Sequence, residues 1–316
     1  CIMLLMSGCV GVFLASHLVL SGLKSEVKNV MFTQVFFRSF HMNSNCTHCS
    51  SNQIKSLEKR TLLGYHRFYC RACHKRFNER SNTPFNLLQF PTDIVLMVVR
   101  WRLMYKLSLR DLSDMFLERG IQFSHETIRD WEKKFTPLII DSLRKKRRGK
   151  SGVSWYVDET YIKVSGKWCY LYRAIDTNGN LVDCRLSDKR DFDAATEFFK
   201  SALQISETPP ERVTTDGHSS YPRSISEVLG KNVKHRTNQY LNNMIEQDHR
   251  GIKQRYGPMR GFNSFKSAEH FCRAFDELRN FYKVTGDRKT KRTNTDRRQN
   301  YLRKTAIFNE LLMTTS

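Results

Sequence analysis

From Val153 onward the chain reads first as strands and only then as helices, and that order narrows the folds open to it. Residues 153–164, 167–176 and 181–186 are rich in β-branched and aromatic side chains and are parted by turn residues. Asn178-Gly179 lies between the second and third runs and is a strong hairpin signal. Helix patterns then alternate with short strands: a helix over 191–203, strands over 212–216 and 232–236, and long helices over 238–256 and 267–284. The order predicts a mixed α/β domain over residues 153–284.

A different texture precedes it. Cys46-x2-Cys49, a gap of 20 residues, and Cys70-x2-Cys73 match the spacing of a four-cysteine zinc site. Two such knuckles bring four thiolates to the corners of a tetrahedron, and zinc accepts that arrangement. A segment this short cannot bury enough apolar surface alone, so the metal is expected to hold it together. Residues 42–83 are therefore expected to form a zinc ribbon. Their basic and aromatic residues (Lys55, Arg60, Tyr65, Arg67, Phe68, Tyr69, Arg71 and Arg76 among them) suit contact with nucleic acid.

Residues 84–143 are expected to be helical. An apolar helix is predicted over 92–106, followed by two shorter ones over 108–118 and 125–135. Ser108 and Asp111 have capping-box spacing, Gly120 is placed to end the first short helix, and Ser124 can cap the second. Leu109, Leu112 and Phe116 repeat at helical spacing, as do Ile128, Trp131 and Phe135. The second short helix carries Arg129, Lys133 and Lys134 on its other faces. The pair reads as a helix-turn-helix with those three cations on the DNA side. Residues 144–152, which include Arg144, Lys145, Lys146, Arg147, Arg148 and Lys150, read as a basic linker, and 285–316 as a basic tail. The whole chain holds 53 Lys+Arg against 31 Asp+Glu, a net charge of +22. Such an excess points to a polyanionic partner.

Carboxylates carry the chemistry. Asp158 interrupts an apolar strand run, Trp155-Tyr156-Val157-Asp158-Glu159-Thr160, where a charge needs a partner. Asp216 ends a second run, and Glu246 sits on a later helix. Two Asp at strand positions and one Glu on a helix can converge on hard cations, and oxygen ligands suit Mg²⁺ or Mn²⁺. Two such ions would clamp an in-line phosphoryl transfer. Strand alternation sends Glu159 to the face opposite Asp158. Asp248 lies about 200° around the helix from Glu246 and is not expected to share its site. Asp176 is expected to serve the Asn178-Gly179 turn, and Asp191 to cap a helix. On the Glu246 helix, Arg250 and Lys253 are candidate phosphate contacts, and His249 is a candidate donor to a phosphate oxygen.

Val157-Asp158-Glu159-Thr160-Tyr161, Tyr170-Leu171-Tyr172-Arg173-Ala174-Ile175-Asp176, Thr215-Asp216-Gly217 and Asn242-Asn243-x2-Glu246-x2-His249-Arg250-x2-Lys253 resemble the DDE transposases of bacterial insertion sequences, most closely the insertion sequence 6 family. The resemblance covers about residues 85–285. It implies a ribonuclease H-like catalytic domain with Asp158, Asp216 and Glu246 as the acidic triad. It also implies cleavage and joining of double-stranded DNA at element ends and target, with no covalent enzyme intermediate and no small-molecule substrate. Joining two ends in one event implies a homodimer or a larger assembly. A DNA-binding regulator without cleavage is the competing expectation.

Residues 2–23 contain no Asp, Glu, Lys or Arg, and His17 and the Cys9 thiol are the ionisable side chains. That stretch is long enough to span a bilayer, but it lacks the basic start of a signal peptide. Met31 and Met42 are plausible starts, and residues 1–41 are expected to lie outside the native protein. A membrane role is not expected, and the location is expected to be the cytoplasm, at the nucleoid.

Overall fold

The computed structural model describes residues 45–237, 243–259, 261–283 and 293–313. The apolar leader falls outside them. The chain divides into two compact units, the first ending at Ser81 and the second beginning at Asn82.

The first unit is a three-stranded antiparallel sheet in the order β1-β2-β3, with β1 Ile54–Leu57, β2 Arg67–Cys70 and β3 Arg76–Asn78. Its core is small: Cys46, Phe68, Cys70 and Phe77, with Phe68 and Phe77 packed at 5.3 Å between ring centroids. Burying these few side chains stabilises the sheet by only a few kcal/mol in all, roughly 1.5–3 for each large one.

The second unit begins with three helices: α1 Thr92–Met104, α2 Leu109–Leu117 and α3 His125–Arg147. The capping box forms as the sequence predicts: the Asp111 N–H donates to the Ser108 hydroxyl at 3.0 Å, and the Ser108 N–H donates to Asp111 at 2.7 Å. Ser124 caps α3 by accepting from the Thr127 N–H. Leu112, Phe116, Ile128, Trp131 and Phe135 are buried.

The expected linker over 144–152 is corrected here. α3 does not stop near residue 135; it runs through Pro137 to Arg147. Its apolar stripe continues as Ile139, Ile140 and Leu143, all buried. Its last turn is then fastened by charge. Arg144 pairs with Asp183, and Arg147 gives two 2.7 Å hydrogen bonds to Glu277. A basic run reads as linker only when its cations face water, and here two of them have buried carboxylates to meet.

The sheet of the second unit has five strands: β4 Ser154–Val164, β5 Lys167–Asp176, β6 Leu181–Ser187, β7 Arg212–Thr215 and β8 Lys234–Thr237. Their order across the sheet is β6-β5-β4-β7-β8. The first three pair antiparallel, and β7 and β8 run parallel to β4. β4 and β5 stay in register from Trp155 opposite Asp176 to Val164 opposite Lys167. Ser165 and Gly166 close that hairpin with φ of 48° and 80°, the left-handed geometry that a two-residue turn needs to match strand twist. In the next turn Asp176 accepts hydrogen bonds from the Asn178 and Asn180 N–H groups.

Helices cover both faces. On one face Trp155, Val157, Tyr172, Ala174 and Val182 pack with α4 (Phe192–Ser206) and α5 (Ser220–Val228) through Phe198, Phe199, Tyr221 and Ile225. Asp191 caps α4. On the other face Ile162, Val164, Leu171 and Leu186 pack with α6 (Asn243–Tyr256) and α7 (Phe265–Tyr282). The same core takes in α1, α2 and α3, so the helical region and the sheet share one interior.

The C-terminal region also departs from expectation. Residues 284–292 lie outside the described set, but α8, Asn294–Met313, is a helix whose Phe308 and Leu312 are each 1% exposed. Its basic residues mask an apolar edge. Arg100 ties it down by donating to Tyr282 Oη and Thr305 Oγ1, each at 3.0 Å.

Candidate active site

The parallel pairing of β4 with β7 places the acids. The paired residues end at Tyr156 opposite Thr214. Continued by two residues, that register sets Asp158 beside Asp216, the first residue past β7. Gly217 follows with φ of +104°, and a Cβ there would come within 2.8 Å of Thr237. The sharp exit that holds Asp216 at the strand end thus requires glycine. The His218 N–H donates to Asp216 Oδ1 at 3.0 Å, and Arg190 Nη2 donates to Oδ2 at 3.0 Å.

Carboxylate oxygens of Asp158, Glu159 and Asp216 all lie within 4.8 Å of one another. Burial pushes the Asp158 carboxyl up to about 7, helped by the negative charges of Glu159, Asp216 and Glu246. Close acids resist ionising together, and a cation among them would relieve that. The donor set is oxygen only, which fits a hard divalent ion such as Mg²⁺ or Mn²⁺ and not a soft one.

Glu246 is in the first turn of α6 and is exposed. Its charge is felt at Asp158, but its oxygens are not in the three-residue cluster. The residues just before α6, 238–242, are outside the described set.

Glu159 departs from expectation. Its side chain does leave β4 on the face opposite Asp158, next to Trp155 and Val157. Its carboxylate nonetheless reaches back into the cluster, because β7 has ended and the flank of β4 is open there. Arg190 Nε donates to Oε1, and the Tyr221 hydroxyl donates to Oε2.

His249 is also placed otherwise than expected. It is 3% exposed, so it is no surface contact for a phosphate. Its Nδ1 lies 3.8 Å from Asp158 Oδ2. Burial, with Arg173 and Lys253 nearby, drives its pKa down to about 2, so the ring is neutral. Asp248 is away from the cluster, as expected, but it is not idle. Arg173 Nη2 donates to its carboxylate at 2.6 Å, and Arg279 Nη1 forms an ion pair with that carboxylate at 2.7 Å while donating to the Asp248 carbonyl oxygen. Arg173 stands opposite Asp158 on β5 and also grips Asp276 of α7. A charge inside Tyr170-Leu171-Tyr172-Arg173-Ala174 signals a buried partner, yet nothing in the sequence says which acid supplies it. Arg190 and Tyr221 carried no sequence signal of their own; α5, which holds Tyr221, could be read from Tyr221, Ile225 and Leu229 at helical spacing.

Arg250 and Lys253 are exposed on α6, and Arg129, Lys133 and Lys134 are exposed on α3. Arg129 is paired with Glu126 at 2.6 Å.

In the first unit the four cysteines converge as their spacing predicts. Cys46 and Cys73 sulfurs are 3.6 Å apart, as are those of Cys49 and Cys70. A tetrahedral zinc with about 2.3 Å bonds spaces its sulfurs by roughly 3.8 Å. Burial opposes ionisation of Cys46, but the N–H groups of His48 and Cys49 outweigh it and bring the thiol to about 7. At Cys49 the Ser51 N–H favours the thiolate, but the other sulfurs and burial override it and raise the thiol to about 12. One thiolate forms easily and suppresses the next unless a cation is there.

A family model described as a DDE domain matches residues 152–285. The transposase for the insertion sequence-like element IS431mec of Staphylococcus aureus strain Mu50 is 38% identical over 187 residues, covering 58% of this chain and 83% of that protein. The transposase for insertion sequence element IS257 in transposon Tn4003 of Staphylococcus aureus is 37% identical over the same shares. The HTLV-2 integrase catalytic core domain in complex with magnesium (trimeric form) aligns at 15% identity and a TM-score of 0.33, covering 45% of this chain and 93% of that one. The stretch matched as a DDE domain holds Asp158, Asp216 and Glu246, and with these relatives the chain belongs to the insertion sequence 6 family of DDE transposases, enzymes of polynucleotidyl transfer.

Proposed function

We propose that the chain binds the ends of an insertion element and cuts and joins double-stranded DNA there, using Asp158, Asp216 and Glu246 as ligands for Mg²⁺ or Mn²⁺. The observation that supports this most is the meeting of Asp158, within β4, and Asp216, just past the end of β7, with oxygens within 4.8 Å. The sheet order, three antiparallel strands and then two parallel ones, suits a ribonuclease H-like domain. Divalent ions bound there would activate the attacking oxygen and stabilise the leaving one during in-line displacement at phosphorus.

The protein's own groups supply the rest. Arg250 and Lys253 face solvent on the Glu246 helix and can hold DNA phosphates beside the cut. His249, buried with its Nδ1 3.8 Å from Asp158, backs that acid. Arg129, Lys133 and Lys134 on α3 can meet the backbone of a duplex read by the α2–α3 helix-turn-helix. The four-cysteine sheet takes zinc as a structural ribbon. The chain acts as a dimer or larger assembly, in the cytoplasm at the nucleoid.

Asp158→Asn, Asp216→Asn and Glu246→Gln should each abolish Mg²⁺-dependent nicking of an element-end duplex while specific, salt-sensitive binding survives. Binding without any nicking by the unaltered protein would replace the enzyme with a regulator.

A further inference from the structure

Glu159 is within ligand range of the cation site, yet both its oxygens are engaged elsewhere. Oε1 accepts from Arg190 and Oε2 from Tyr221, and the side chain is 1% exposed. Arg190 comes from the β6–α4 connection, Tyr221 from the start of α5, and Glu159 from the middle of β4. Three separate elements thus converge on one carboxylate, each of whose oxygens spends a lone pair on that grip. The same guanidinium extends to Asp216. It is the one cation paired with the three-acid cluster among the described residues, and it spans the gap between a buried acid and a half-buried one.

We propose that Arg190 and Glu159 form a neutral pair that withholds Glu159 from the cation site and fixes the site's charge at that of its other carboxylates. The proposal rests on the reading of Asp158 and Asp216 as cation ligands. Both are positioning residues: neither needs to touch substrate. The reasoning is Coulombic. Removing Arg190 alone leaves one more negative charge beside the ion and frees Glu159 to reach it, so a divalent cation binds more tightly. Removing the charge of Glu159 alone leaves a guanidinium that opposes the ion and competes for Asp216, so the cation binds less tightly. Removing both restores the balance. A merely structural role would move both single variants the same way.

The test is Mn²⁺ binding to the full-length protein without DNA, followed by electron paramagnetic resonance. Arg190→Gln should tighten binding about tenfold and Glu159→Gln should weaken it about tenfold, while the double variant returns to within about threefold of the unaltered protein. Glu159→Gln keeps the shape, with its amide oxygen accepting from Arg190 and its NH2 donating to a reversed Tyr221 hydroxyl, so it carries the test alone if Arg190→Gln does not fold, with thermal unfolding run alongside. Single variants shifting in the same direction, or Glu159→Gln binding as tightly as the unaltered protein, would overturn the pair. Failure of the underlying reading looks different: the unaltered protein would bind no Mn²⁺, or Asp158→Asn would bind it equally well.

Discussion

Arg173→Met is the most severe single change the structure offers outside the acids. The guanidinium is 1% exposed. It gives Asp276 hydrogen bonds of 2.8 and 2.7 Å and gives Asp248 one of 2.6 Å. Asp276 is itself 2% exposed, so the variant strands a carboxylate where water does not reach. Removing one partner of a buried pair costs about 3–5 kcal/mol. For a unit of this size each kcal/mol moves Tm by about 2–4 °C, so Tm should drop by roughly 6–20 °C. Melting followed by far-ultraviolet circular dichroism reads this directly. Arg173→Met with Asp276→Leu should recover much of the loss, since the buried charge is then gone. A single variant losing less than about 1 kcal/mol, or a double variant no better than the single, would refute the reasoning.

The full-length protein should carry one zinc by metal analysis, and Cys70→Ser should lose it, because Cys70 is wholly buried among the other sulfurs. The Asp158 carboxyl, raised from 3.8 to about 7, holds its proton in the folded chain over a window where the unfolded chain has released it. This group therefore favours the fold at the acid end, and that contribution is lost as pH rises through 7. Mn²⁺ should accordingly raise Tm more at about pH 8 than at about pH 5.5; an equal gain at both would count against Asp158 as a ligand.

Much of the sheet was legible because its signals are local. Strand alternation, the Asn178-Gly179 turn and the capping box at Ser108 act within a few residues, and β5 falls where the pattern puts it. The convergence of Asp158 with Asp216 was legible only through the family resemblance, since the parallel register that creates it joins segments far apart in the chain. What escaped is long-range charge. Arg144, Arg147 and Arg173 look like solvated cations or anomalies until Asp183, Glu277 and Asp276 are brought beside them. Glu159 escaped for a subtler reason. Alternation predicts the face a side chain leaves from, and a long side chain at an open flank can still return. The same reasoning misread α8, where a basic surface hid Phe308 and Leu312.

The continuity of α3 has a consequence for where the proposed enzyme would cut a strand. Its 23 residues span about 34 Å at 1.5 Å per residue, close to one turn of B-form DNA. One end carries the cations proposed to meet the duplex, and the other is bolted by Arg144 and Arg147 to the sheet that holds the acids. Such a rod acts as a ruler. On the proposed reading, it would set the distance between the bases that are recognised and the bond that is broken.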